Sequence, residues 1–101
     1  STVLTYSTVV QQAEADKAKL DADVAEIERL SNQLVESLKE MRQAQQALSA
    51  YLETEAVGEA FISSVSRQQT VAGFTQHVTD AINEATSVSQ RLKSAIDALG
   101  S

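Results

Sequence analysis

His77 is the residue best suited by type to acid–base or metal chemistry, and it is the only histidine in the chain. The chain has no cysteine, so a metal at His77 would have to be completed by carboxylates. His77 sits beside Val78 in a stretch of helical spacing, where a solvated or seam-edge imidazole is expected rather than a ligand or a base. Glu36 and Glu40 are four residues apart and could notionally hold a cation from one helix face. The other acidic residues scatter around the same stretch, so a solvated face is expected there. Tyr51 and Glu55 also share a helix face, and the expectation is a tyrosine packing on the helix edge. No nucleophile–base arrangement occurs, and the glycines at 58, 73 and 100 are too far apart to form a phosphate-cradling loop. The chain is therefore expected to be no enzyme, with no metal, no cofactor and no small-molecule substrate.

What remains is a chain built of helical spacing. Leu20, Val24, Ile27, Ser31, Leu34, Leu38, Met41, Gln45, Leu48 and Leu52 alternate steps of three and four, and eight of these ten are apolar. As one helix, Leu20 to Leu52 would be roughly 50 Å long. A second series follows: Val71, Phe74, Val78, Ala81, Ala85, Val88, Leu92, Ala95 and Leu99, with Phe61 and Val65 leading in. Upstream, Val3, Tyr6, Val10, Ala13, Lys17 and Leu20 keep helical steps. Several β-branched residues there would also suit a strand, but no second strand candidate exists to pair with it. A helix capped by Ser7 after a loose tail is expected.

Between the two series lies Ala56-Val57-Gly58-Glu59-Ala60. There is no proline, and Gly58 is the only glycine before Gly73, so a bend with Gly58 in left-handed geometry is expected here. Gly73 falls inside the second series, marking either a close helix approach or a weak point. Gly100 stands just past the last apolar residue, where helices commonly end. The expected fold is all-α: a single domain over residues 1–101, an antiparallel, coiled-coil-like two-helix hairpin. Helix 1 would run about 7–55, the bend 56–59 and helix 2 about 60–99.

Folding the two series about Val57 matches them. Residues whose numbers add to about 115–116 would face each other: Met41 with Phe74, Leu38 with Val78, Ile27 with Val88, Val24 with Leu92. Large side chains then oppose small ones at several levels, as interdigitated helices require. Leu30, Val35, Ile82 and Ile96 widen the stripes beyond a two-helix seam. Val3, Tyr6 and Val10 overhang the shorter helix. These seven are the candidate partner-binding residues, because exposed apolar patches mark interaction surfaces. Dimerisation, completing a four-helix bundle, would cover them.

Composition narrows the partners. Aromatics make up 4% of the 101 residues and the formal charge is −6, which suits thin helical seams and disfavours nucleic acid or anionic membrane surfaces. No apolar run reaches the length of a membrane span. No basic-apolar-small succession of a cleaved leader is present, consistent with a cytosolic protein, a chain whose leader has been removed, or leaderless export. The expected partner is a second copy or another helical protein.

Length, hairpin shape and the Gly58-Glu59-Ala60 stretch together resemble the WXG-type (Trp-x-Gly) proteins of bacterial type VII secretion. In that family the bend carries Trp-x-Gly followed by an acidic or polar residue and alanine. Here the tryptophan position is Ala56, and no tyrosine follows Gly58 to begin the family's export signal. The resemblance implies a bacterial cytoplasmic protein exported without a leader, as a substrate or as the adaptor or partner of a larger exported protein. The alternative is a structural coiled-coil assembly segment of a larger protein.

Overall fold

The computed structural model describes residues 2–58 and 64–99, which form two helices: α1, Thr2–Gly58, and α2, Ser64–Ala98. They pack antiparallel as a hairpin. Tyr51 of α1 stacks on Phe74 of α2 near one end, with ring centroids 5.2 Å apart. Toward the other end, Glu26 and Leu30 line one shallow recess together with Arg91, Ser94 and Ala95. The molecule is a rod of 89 × 16 × 14 Å, as long as α1 itself, whose 57 residues span roughly 85 Å at 1.5 Å per residue.

α1 begins earlier than its composition suggests. Thr2 to Ser7 are helical instead of a loose tail, since the three-and-four spacing continues through them and modest propensity penalties at β-branched residues do not stop a helix already propagating. Its other end also runs on. Ala56, Val57 and Gly58 are helical, and no described glycine has a positive φ, so the left-handed bend expected at Gly58 is not there. Glu59 and Ala60, with Phe61 and Gly100, lie outside the described residues. α1 ends at Gly58, and α2, antiparallel to it, begins at Ser64.

That later reversal moves the register. Ile27, Leu30, Leu34, Ser37, Met41, Ala44, Leu48 and Tyr51 are buried or half-buried along α1 in an unbroken alternation of three and four, with Asp23, Ser31 and Gln33 half-buried beside them. The buried and half-buried positions of α2 are Arg67, Val71, Phe74, Val78, Ala81, Ala85, Val88, Leu92 and Ala95. From Val71 to Ala95 the α2 series is the one expected from sequence, with Arg67 added and Val65 and Leu99 exposed; α1 keeps Ile27, Ser31, Leu34, Met41 and Leu48 of the expected series, while Leu20, Val24, Leu38, Gln45 and Leu52 are exposed. The Tyr51–Phe74 stack and the recess that Glu26 and Leu30 share with Arg91 and Ala95 imply an interlock with Leu48 near the level of Phe74, Ala44 near Val78, Met41 near Ala81 and Leu34 near Val88. Tyr51 and Phe74 meet one step off level because helical side chains lean toward their own N-termini and so converge in an antiparallel pair. Phe74 therefore does not face Met41, which lies ten residues, roughly 15 Å, from Tyr51 along α1. Large still opposes small, but in different pairs.

Candidate partner-binding surface

The core is one seam thick. Val88 is fully buried, Ala44 is 1% exposed and Leu30 is 3% exposed. Ser37 is buried with them, one residue before the Leu38 that spacing alone favoured. Ser37 and Ala44 are buried in the seam in line with Leu30, together with Ala81, Ala85 and Val88 of α2, and Leu38, one position on, faces away from it. Leu38 is displaced to the flank, as are Val24 and Leu52.

This changes the membership of the expected surface. Leu30 is not a flanking partner-binding residue; it is buried in the intramolecular seam. Val35, Ile82 and Ile96 are exposed, as are Val3, Tyr6 and Val10. Val24, Leu38 and Leu52 join them, having been assigned by sequence to the seam. The signal that could have separated them was the series Leu30, Ser37 and Ala44, one position before Ser31, Leu38 and Gln45, which keeps the same three-and-four alternation with Ile27, Leu34 and Met41.

Helical geometry sorts these residues into two sides. Val24, Leu38 and Leu52 follow directly after the seam positions Asp23, Ser37 and Tyr51. Ile82 and Ile96 likewise follow Ala81 and Ala95. In an antiparallel pair, positions related in this way lie along the same side of the seam, so one flank of the hairpin is aliphatic. The opposite flank is polar. Glu40, Gln43, His77, Asp80 and Glu84 surround a shallow recess there, and Arg91 lies 3.9 Å from Glu84. Glu26 accepts hydrogen bonds from Arg29 at 2.5 and 2.9 Å. Those bonds, with the charges of Arg29 and of Arg91 on α2, hold its carboxyl below the usual carboxylate range despite the opposing effect of desolvation.

The N-terminal third of α1 belongs to neither flank. α2 has 35 residues against 57 in α1, so it runs out at the level of Val24. Every side chain described from Val3 to Ala22 is exposed, Val3 at 78% and Tyr6 at 71%. This overhang carries its own local bonds: Lys17 to Asp21 at 2.9 Å and Lys19 to Asp23 at 3.2 Å, and Gln12 to Asp16 at 2.9 Å. The overhang foreseen for Val3 to Val10 is therefore longer, because the later reversal slides α2 toward the bend.

The remaining candidates are local. Tyr51 is half-buried on Phe74, while the side chain of its spacing partner Glu55 is outside the described residues. Glu36 is paired with Lys39 at 3.3 Å. Among the described residues no three histidine or acidic side chains gather where a metal could sit, and no helix is long and apolar enough to cross a membrane. No family model matches the chain, and no curated protein or solved structure is significantly similar to it.

Proposed function

We propose that this chain is a non-enzymatic helical protein–protein interaction module. The observation that carries this is the aliphatic flank of Val24, Val35, Leu38, Ile82 and Ile96, continued by the overhang, all left in water by the hairpin. A rod this thin cannot cover both sides of its own stripe, and an apolar face this long favours association. Native mass spectrometry across concentration, together with capture of helical proteins from the source cell, tests it. A chain that stays monomeric and captures nothing at high micromolar concentration sinks it.

Within that role we propose service to bacterial type VII secretion, as a substrate or as the adaptor of a larger exported protein. The hairpin shape and the Gly58-Glu59-Ala60 sequence support this; Ala56 in the tryptophan position counts against it. Export should cease in a host lacking the type VII machinery, and unchanged export would remove this role alone. A structural coiled-coil segment of a larger protein is the second reading. It is favoured by α1, whose helix runs on more than twenty residues past the end of α2.

A further inference from the structure

The overhang of α1 is not uniform along its length. From Glu14 to Asp23 none of the ten residues is β-branched and six are charged. The pairs Lys17–Asp21 and Lys19–Asp23 there tie one helical turn to the next. From Thr2 to Val10 the composition inverts. Thr2, Val3, Thr5, Thr8, Val9 and Val10, six of these nine residues, are β-branched, Leu4 and Tyr6 stand among them, and every charged side chain of the protein lies at or after Glu14. β-Branched residues lose side-chain freedom in a helix and fit the pleated surface of a sheet. The stretch is nevertheless helical. α2 does not hold it in that form, because α2 ends near the level of Val24, and Val3, Tyr6 and Val9 are each more than 60% exposed.

We propose that Thr2–Val10 is a convertible segment whose partner is the same segment of further copies, joined as strands of an intermolecular β-sheet. The aliphatic flank of the hairpin plays no part in it. Leaving the helix breaks no contact with α2, so the segment has only its own helical bonds to exchange for bonds between strands. Extended, nine residues reach roughly 30 Å. Leu4, Tyr6, Thr8 and Val10 then share one face of the strand, and Val3, Thr5, Ser7 and Val9 share the other.

Charge decides the occupant. Stacked copies place each residue on its own kind, which an uncharged segment without proline or glycine accepts and a charged one resists. Neither face of Thr2–Val10 carries a charge that would select a partner of opposite sign, and self-stacking needs none. The same rule sets the limit of the sheet. Glu14 and Asp16 would stack acid on acid, so the strands end before Glu14. The hairpin beyond stays helical, its lysine–aspartate pairs intact.

Incubation of the whole chain at high micromolar concentration should yield assemblies that bind thioflavin T and diffract at about 4.7–4.8 Å along the fibre axis. Hydrogen exchange within them should place the newly protected amides between Thr2 and Ala13, with those of the hairpin exchanging as in the free chain. Val3→Lys with Val9→Lys puts like charges into every layer while favouring the helix, so circular dichroism should show the hairpin intact while assembly slows at least about tenfold. Leu38→Asp with Ile82→Asp, on the flank of the hairpin, should leave the rate unchanged. Assemblies that stay wholly helical, or that protect only hairpin amides, would overturn the proposal, as would the absence of any assembly. So would a lysine variant that assembles as fast as the original, or a flank variant slowed as much as the lysine one. Strand signal that arises only when a different protein is added would overturn further copies as the occupant.

Discussion

Residues 24 to 58 of α1 run beside α2, whereas residues 2 to 22 run past its end, yet both stretches carry the same seven-residue repeat. Tyr6, Ala13 and Leu20 continue the column of Ile27, Leu34, Met41 and Leu48. In the paired stretch that column is buried or half-buried; in the overhang it is exposed throughout. The repeat specifies which side of the helix is able to pack. Whether it packs depends on how much partner helix the chain supplies, and here it supplies about 35 residues for 57. The unpaired third keeps its helix through continuity with the paired part and through pairs such as Lys17–Asp21, since propagating a helix is far easier than nucleating one.

The difference between the two stretches is largest in stability. Leu30→Ala removes a buried side chain from the seam and should cost about 2–5 kcal/mol. Tyr6→Ala, in the overhang, should stay within about 0.5 kcal/mol when denaturation is followed in dilute solution, where association does not contribute. Equal costs would mean that the overhang is packed or that Leu30 is not.

A second way to break the comparison is to move the boundary between paired and unpaired residues. Ala44→Cys with Val78→Cys should join within one chain through a short cross-linker. Met41→Cys with Phe74→Cys, roughly 10 Å out of step along the axis, should not. The reverse outcome would return the reversal to Gly58 and shorten the overhang.

Gly73 sharpens the account of the paired stretch at a smaller scale. Its φ is helical, and a Cβ added there would meet nothing within 4 Å, so it does not serve a close approach of the helices. Gly73→Ala should therefore stabilise the hairpin by about 0.5–1 kcal/mol, read as a raised melting temperature. A lowered one would show that something does pack against that position.

The smallest effect is electrostatic. Glu26, on the polar flank, has its carboxyl held below the ordinary range chiefly by the hydrogen bonds from Arg29. A depressed folded value means that the pair's contribution is present above the ordinary carboxylate pKa and is lost as pH falls through the lowered one. An NMR titration of Glu26 should show the lowered value, and Arg29→Gln should raise it toward ordinary. Both side chains are about half exposed, and solvent screening keeps the effect on stability slight.

Sequence alone determined the class of this protein and half of its core. The alternation of three and four from Val71 to Ala95 marks the buried face of α2 correctly because each of its flanking positions, apart from Ile82 and Ile96, is polar or small. In α1 the same rule met two competing columns. One holds Val24, Leu38 and Leu52 and the other holds Asp23, Ser37 and Tyr51, and residue hydrophobicity favours the first. Only the tertiary structure decided for the second, whose Leu30, Ser37 and Ala44 are buried while Leu38 and Leu52 stay exposed, because which column packs depends on what the opposite helix presents. The position of the turn was likewise beyond local rules. Gly58 permits a left-handed bend but also completes a helix, and interlocking of the two repeats over thirty residues outweighs the preference of one glycine. Once the turn moved, so did every cross-helix pair, the length of the overhang, and the set of aliphatic side chains left for a partner.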